Sequence, residues 1–111
     1  MNQTVECHSV KLWLDDLREA PEGWLRAQTR DEAIAILKNN YVEFASLDYD
    51  IRWDPGGDGC DWENTRTGMA IVIWMWKTGK WPRDGVAVHS SNVAGAQRMI
   101  SSLGSHYRRN L

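Results

Sequence analysis

Polar and apolar positions alternate through Ser9-Val10-Lys11-Leu12, and the chain then runs apolar at Trp13-Leu14 before stopping at Asp15-Asp16. Period-two alternation in residues that suit a pleated surface predicts a first strand over 9–14. Ala20-Pro21-Glu22-Gly23 reads as a turn, and 24–28 as a short second strand. Thr29-Arg30-Asp31-Glu32 has the spacing of a capping box, so a helix is expected to start there. Ala33, Ile34, Ile36, Leu37 and Tyr41 share its apolar face, and Asn39-Asn40 offers a stop. A third strand is predicted over Val42 to Leu47, ending at Asp48-Tyr49-Asp50.

Met69 to Lys77 is apolar almost throughout, a pattern that suits a buried strand or a buried helix. Thr67 as a cap before it and Gly79 after it favour a helix packed on a sheet. Val86-Ala87-Val88 predicts a short buried strand ending at His89-Ser90-Ser91-Asn92. A last helix is expected from Val93 to Leu103, stopped by Gly104. Residues 1–8 and 105–111, with the basic Arg108-Arg109, are expected to be frayed ends of a single domain spanning 1–111. Strands alternating with helices predict an α/β sandwich with a mostly parallel sheet. About eight residues separate the first two strands, fewer than the dozen or more of a parallel crossover, so a helix is missing there or the second strand is an irregular edge piece. Its direction stays open. The polar stretch from Arg52 to Arg66 is too long for an ordinary connection and reads as functional.

Composition narrows the partners. A formal charge of -2 and a pI near 5.9 give no bulk attraction for duplex DNA or an anionic membrane. The longest apolar run, Met69 to Trp76, is far short of the ~20 residues of a membrane span. No basic patch followed by an apolar stretch stands at the start, so a cytoplasmic location is expected. Cys7 and Cys60 lack metal-ligand spacing and read as apolar fillers in a reducing compartment. The seven tryptophans are the oddest feature of the composition. Trp13, Trp24, Trp74 and Trp76 lie in apolar-rich segments and read as core; Trp53, Trp62 and Trp81 lie among Gly, Pro and charged residues. There a ring either pins a loop or stacks on a base or sugar.

In an open α/β sheet, ligands bind beyond the carboxyl ends of the strands. Three predicted strands end in reactive side chains: Asp15 and Asp16, then Asp48 and Asp50, then His89, Ser90 and Asn92. Carboxylates gathered at one rim need a cation or a proton, and hard oxygen donors favour Mg²⁺, Mn²⁺ or Ca²⁺. Taken singly, Asp15-Asp16 reads better as a solvated strand end, and Asp48 and Asp50 as a turn cap; two such clusters at the ends of core strands favour the joint functional reading. His89 suits general acid or base work or a phosphate contact, and Ser90, Asn92 and the N-terminus of the last helix suit the same anion. The loop acids Asp54, Asp58, Asp61 and Glu63 do not match a calcium-loop spacing and read as solvated, with the loop better cast as a lid whose Trp53 or Trp62 touches ligand. Hydrolase-elbow, P-loop, dinucleotide and zincin motifs are absent.

Leu12-Trp13-Leu14-Asp15-Asp16-Leu17-Arg18, Ala20-Pro21-Glu22-Gly23-Trp24, Ser46-Leu47-Asp48-Tyr49-Asp50, Thr67-Gly68 and His89-Ser90-Ser91-Asn92 together resemble the cyclic-phosphate-processing receiver-like domain family, over residues 9 to 103. The resemblance implies a receiver-like (flavodoxin-like) three-layer sandwich with a mostly parallel sheet of about four strands. It matches Asp15 and Asp16 to the family's acidic pair, Asp48 to its central acid, and His89 and Ser90 to its strand-end pair. Tyr49 stands where the family usually has His, and Val93 where it has Pro. No Lys ends a further strand as a phosphorelay receiver would require.

The expected function is that of a metal-dependent phosphoesterase acting on cyclic phosphates of nucleotides or RNA ends. Asp15, Asp16, Asp48 and Asp50 are the expected residues around Mg²⁺ or Mn²⁺, with Asp50 bonding to the ligands where it does not itself ligate; His89, Ser90 and Asp48 are the expected catalytic set; Asn92, Arg18 and Trp53 are expected to contact substrate. The rival expectation is a non-catalytic receiver-like binding protein, phage-encoded or bacterial, that sequesters a protein or nucleotide partner.

Overall fold

The computed structural model describes residues 9–51 and 67–109. Cys7, Cys60, Trp53, Trp62 and the acids Asp54, Asp58, Asp61 and Glu63 lie outside the described residues. Strand β1 spans Ser9–Leu14, β2 Leu25–Ala27, β3 Tyr41–Leu47 and β4 Val86–Val88; helix α1 spans Arg30–Asn39, α2 Met69–Thr78 and α3 Val93–Arg109. The four strands form one parallel sheet in the order β2-β1-β3-β4. This is the flavodoxin-like order, and its reversal point lies between β1 and β3.

Local signals place most element ends. Thr29 caps α1 by accepting from Glu32 N at 3.2 Å, and Glu32 Oε1 reaches back to accept from Gln28 N at 2.7 Å. Gly79 closes α2 in the left-handed region, φ 71°, and donates to Met75 O. Three expectations are corrected. Tyr41 opens β3 and is exposed, so it does not continue the apolar face of α1. Thr67 does not cap α2; it bridges to Asp50, and Gly68 precedes the helix. Gly104 does not end α3, and 105–109 are helical rather than frayed, because the apolar series Met99, Leu103, Tyr107 continues at helical spacing and Tyr107 Oη donates to Pro82 O at 2.9 Å. Those contacts outweigh the cost of about 1 kcal/mol for an interior Gly.

The direction of β2 is settled as parallel to β1. No helix forms in the connecting residues 15–24, which instead fold on short-range bonds: Leu17 N and Arg18 N donate to Asp15 Oδ1, and Trp24 N donates to Pro21 O. Crossovers between parallel strands are right-handed, so α1 and α2, which step the same way across the sheet, lie on one face, and the 15–24 link, which steps back, crosses the other.

That missing helix changes the architecture. All three helices join one apolar cluster with Leu12, Leu14, Val42, Ala45 and Leu47, the alternate residues of β1 and β3. Among the described residues, no helix covers the opposite face. Trp13, Trp24 and Phe44 belong to the uncovered face. They pack edge to face on one another, with centroids at 6.0 Å for Trp13–Trp24 and 5.9 Å for Trp24–Phe44. Trp13 and Trp24 are therefore not core, and Trp76 is exposed, whereas Trp81, expected in a loop, packs against the core. No helix among the described residues is long and apolar enough to cross a membrane.

Candidate metal and phosphate site

Asp15 and Asp48 follow immediately on β1 and β3, the neighbouring strands at the reversal point, and Asp48 N donates to Leu14 O at 2.9 Å. The backbone ladder therefore carries both carboxylates to the same rim. Asp15, Asp16 and Asp48 each offer an oxygen within 4.8 Å of the others. The three line a cleft of about 210 Å³ with Arg18, Asp50 and Ser91. Asp15 is 1% and Asp48 9% exposed, while Asp16 and Asp50 face the solvent side.

The two buried carboxylates are treated unequally. Burial disfavours ionisation of Asp15, but the N–H groups of Arg18 and Leu17 and the His89 ring overcome it and hold its pKa below the ordinary value. Burial also disfavours ionisation of Asp48, and the charge of Asp15 adds to it. Hydrogen bonds from Ser90 and Tyr49 N offset this only in part, so the Asp48 pKa is raised. Two carboxylates whose charges oppose each other, joined by a third, form an all-oxygen set that fits a hard divalent cation. Beside Asp50, Thr67 is 7% exposed, and among the described residues its hydroxyl has no hydrogen-bond partner.

His89 stands behind Asp15 rather than in the cleft wall. Its Nε2 lies 3.1 Å from Asp15 Oδ2 and its Nδ1 2.7 Å from Ser46 Oγ. Its ring stacks flat on Trp13, with centroids 3.9 Å apart and planes 9° apart. Both nitrogens are thus engaged inside the protein, an arrangement that orients Asp15. Ser90 is bonded to Asp48 and accepts from Asn92 N at 3.1 Å. Asn92 caps α3 by accepting from Gly95 N at 3.0 Å, and its amide donates to Asp50 Oδ2 at 3.3 Å. Arg18 extends from the link, exposed, with Nη1 3.8 Å from Asp15 Oδ2.

The sequence-predicted residues thus fall into three groups. Asp15, Asp16, Asp48, Asp50 and Arg18 line the cleft; His89, Ser90 and Asn92 support it from behind or beside; Trp53 lies outside the described residues. Sequence reasoning missed Ser46 and Trp13, which hold the His89 ring from two sides. A small hydroxyl in the buried run Ala45-Ser46-Leu47 was the available signal. It also missed two glycines that admit close neighbours. A Cβ on Gly68 would collide with Asp48 O and come within 2.8 Å of the Met99 methyl, and one on Gly95 would collide with the Tyr49 ring.

A family model described as the cyclic-phosphate processing Receiver domain matches residues 10–105. Comparisons with curated proteins and with solved structures find no match.

Proposed function

The chain belongs to the cyclic-phosphate processing Receiver domain family, and from that membership and the acidic cleft we propose that it is a metal-dependent phosphoesterase that opens cyclic phosphates of nucleotides or RNA ends. The observation that carries this reading is the convergence of Asp15, Asp16 and Asp48 at the reversal point of the sheet. These three would hold Mg²⁺ or Mn²⁺, with Asp50 beside them at the rim. A bound cation would supply charge neutralisation at the phosphoryl oxygens and activation of water.

The protein's own groups do the rest. Asp15 is kept ionised and fixed in direction by two backbone donors and His89, so His89 serves as a positioning residue for it. Ser90 fixes Asp48 from the opposite side. Arg18, exposed at the mouth, offers a guanidinium to an entering phosphate, and Ser91 adds a hydroxyl to the wall. In the reaction, water oxygen forms a bond to phosphorus, a ribose oxygen–phosphorus bond breaks, and the water proton ends on the released hydroxyl.

Phosphorus NMR of 2′,3′-cyclic nucleotides with Mg²⁺ or Mn²⁺, with and without chelator, tests the reading alongside Asp48→Asn. Ring opening that needs both the metal and Asp48 is expected. Turnover retained by Asp48→Asn would remove Asp48 from the chemistry, and shifted resonances without turnover would make the protein a binder.

A further inference from the structure

Among the described residues, one sheet face carries no helix and is crossed by the 15–24 link alone. Strand register places Lys11, Trp13, Arg26, Phe44 and Ser46 on it, with Trp24 packed between Trp13 and Phe44. The three rings are part-exposed, and none is packed against the apolar core. Lys11 is exposed and holds its ammonium 5.7 Å from the centre of the Trp24 ring. None of the strand residues placed there by the register is acidic, and Glu43 at the adjoining bulge is paired with Arg83 at 3.4 Å; the acidic residues on this side, Asp16, Glu19 and Glu22, belong to the 15–24 link.

This face is continuous with the acidic cleft. Trp13 stacks on His89, and His89 bonds Asp15, so the aromatic row begins directly behind the carboxylates. Resting on the phosphoesterase reading above, we propose that the uncovered face is a stacking platform for the last bases of a single-stranded RNA whose 3′-terminal cyclic phosphate enters the cleft. Aromatic rings interleaved with cations on a sheet are what unpaired bases and their phosphates require. A 2′,3′-cyclic phosphate forms only on a ribose, which makes the strand RNA. A second copy fits less well, because pairing two such faces would gather two Lys11 and two Arg26 side chains with no acidic strand residue between them. A free nucleotide would leave most of the aromatic row unused.

The test is fluorescence anisotropy, in chelator so that nothing is cut, with a labelled octaribonucleotide ending in a 3′-phosphate. A duplex of the same sequence and a nucleoside 3′-monophosphate serve as competitors. The octamer should bind at least about tenfold more tightly than either competitor, because each stacked base contributes on this scale. Trp24→Leu and Lys11→Glu should each weaken it about tenfold, whereas Lys77→Glu, on exposed α2 surface, should not. If Trp24→Leu does not fold, Lys11→Glu at its exposed position carries the test. Octamer binding no tighter than the monophosphate, or indifferent to both substitutions, overturns the platform, as does a dimer in sedimentation that Trp24→Leu dissociates. Cyclic-nucleotide turnover without octamer binding leaves the enzyme standing and removes the platform; octamer binding without turnover does the reverse.

Discussion

Gly95→Ala provides a test in which sign alone discriminates. Position 95 lies in the first turn of α3, where Ala would ordinarily be the better residue by up to ~1 kcal/mol. Here the added methyl would collide with three carbons of the Tyr49 ring, the farthest of them at 2.6 Å. Ordinary carbon contacts lie at ~3.5–4.0 Å, so helix or ring must yield by roughly 1 Å. The ring cannot swing outward freely, since Tyr49 is 6% exposed and held in the apolar cluster. With three carbons in collision the cost lies in the upper part of the range for overpacking, about 2–3 kcal/mol, which leaves a net loss of about 1–2 kcal/mol after the helix gain. For a domain of this size that lowers the melting temperature by roughly 4–10 °C. Urea unfolding followed by tryptophan fluorescence and far-ultraviolet dichroism measures it, and an unchanged denaturant slope would locate the loss in the native state. In the Tyr49→Ala background Gly95→Ala should lose its penalty, because the colliding Cγ, Cδ1 and Cδ2 are gone. A midpoint that stays or rises in the single variant would refute the claim that Gly95 exists to admit Tyr49.

Four further outcomes are expected. Asn92→Ala removes the cap of α3 and should cost about 1 kcal/mol in urea unfolding. His89→Leu should weaken Mn²⁺ binding by about 10–100-fold in calorimetry, with the fold retained, because Asp15 loses its orienting partner. Burial raises the Tyr107 pKa to about 12. A folded pKa above the unfolded one means that its stabilisation is complete below pH ~10 and is lost as pH rises toward 12; tyrosinate absorbance should show a late phase that Tyr107→Phe abolishes, along with about 1 kcal/mol of stability from the bond to Pro82. Asp48→Asn should be more stable than the parent at pH 7 in chelator. The raised pKa makes the parent lose stability as pH climbs from the unfolded carboxyl value through the folded one, so the advantage should vanish in acid and reverse in saturating Mn²⁺.

The elements legible in the sequence are those whose cause is local. Alternation from Ser9 to Leu14, the box from Thr29 to Glu32 and the left-handed Gly79 each act within a few residues, and each is found where it was expected. The rim acids were legible because one topological rule covers Asp15 and Asp48 together. What escaped depends on distant partners. The His89 nitrogens are taken by residues 43 and 74 positions away, and no local pattern announces either contact. Gly104 reads as a stop until Tyr107 is seen to reach Pro82. Trp13 lies off the core for another reason: it alternates with Leu12 and Leu14, so the period of the strand turns it to the opposite face whatever its apolar character.

The absent crossover helix links these findings. A helix between β1 and β2 would cover Trp13 and Trp24 and carry the chain away from the rim. Without it, residues 15–18 turn back at once, and that turn brings Leu17 N and Arg18 N onto Asp15. The same shortness sets Arg18 O against the Trp13 indole, which donates to it at 3.2 Å, and so fixes the ring on which His89 stacks. A like-charged pair at the reversal point is costly unless something orients it and something neutralises it. The link, His89 and Ser46 supply the orientation from within the chain. Among the described residues that line the cleft the only cationic side chain is the exposed Arg18, 3.8 Å from Asp15 Oδ2. The remaining neutralisation falls to a proton on Asp48, whose pKa is raised, or to a cation in the cleft.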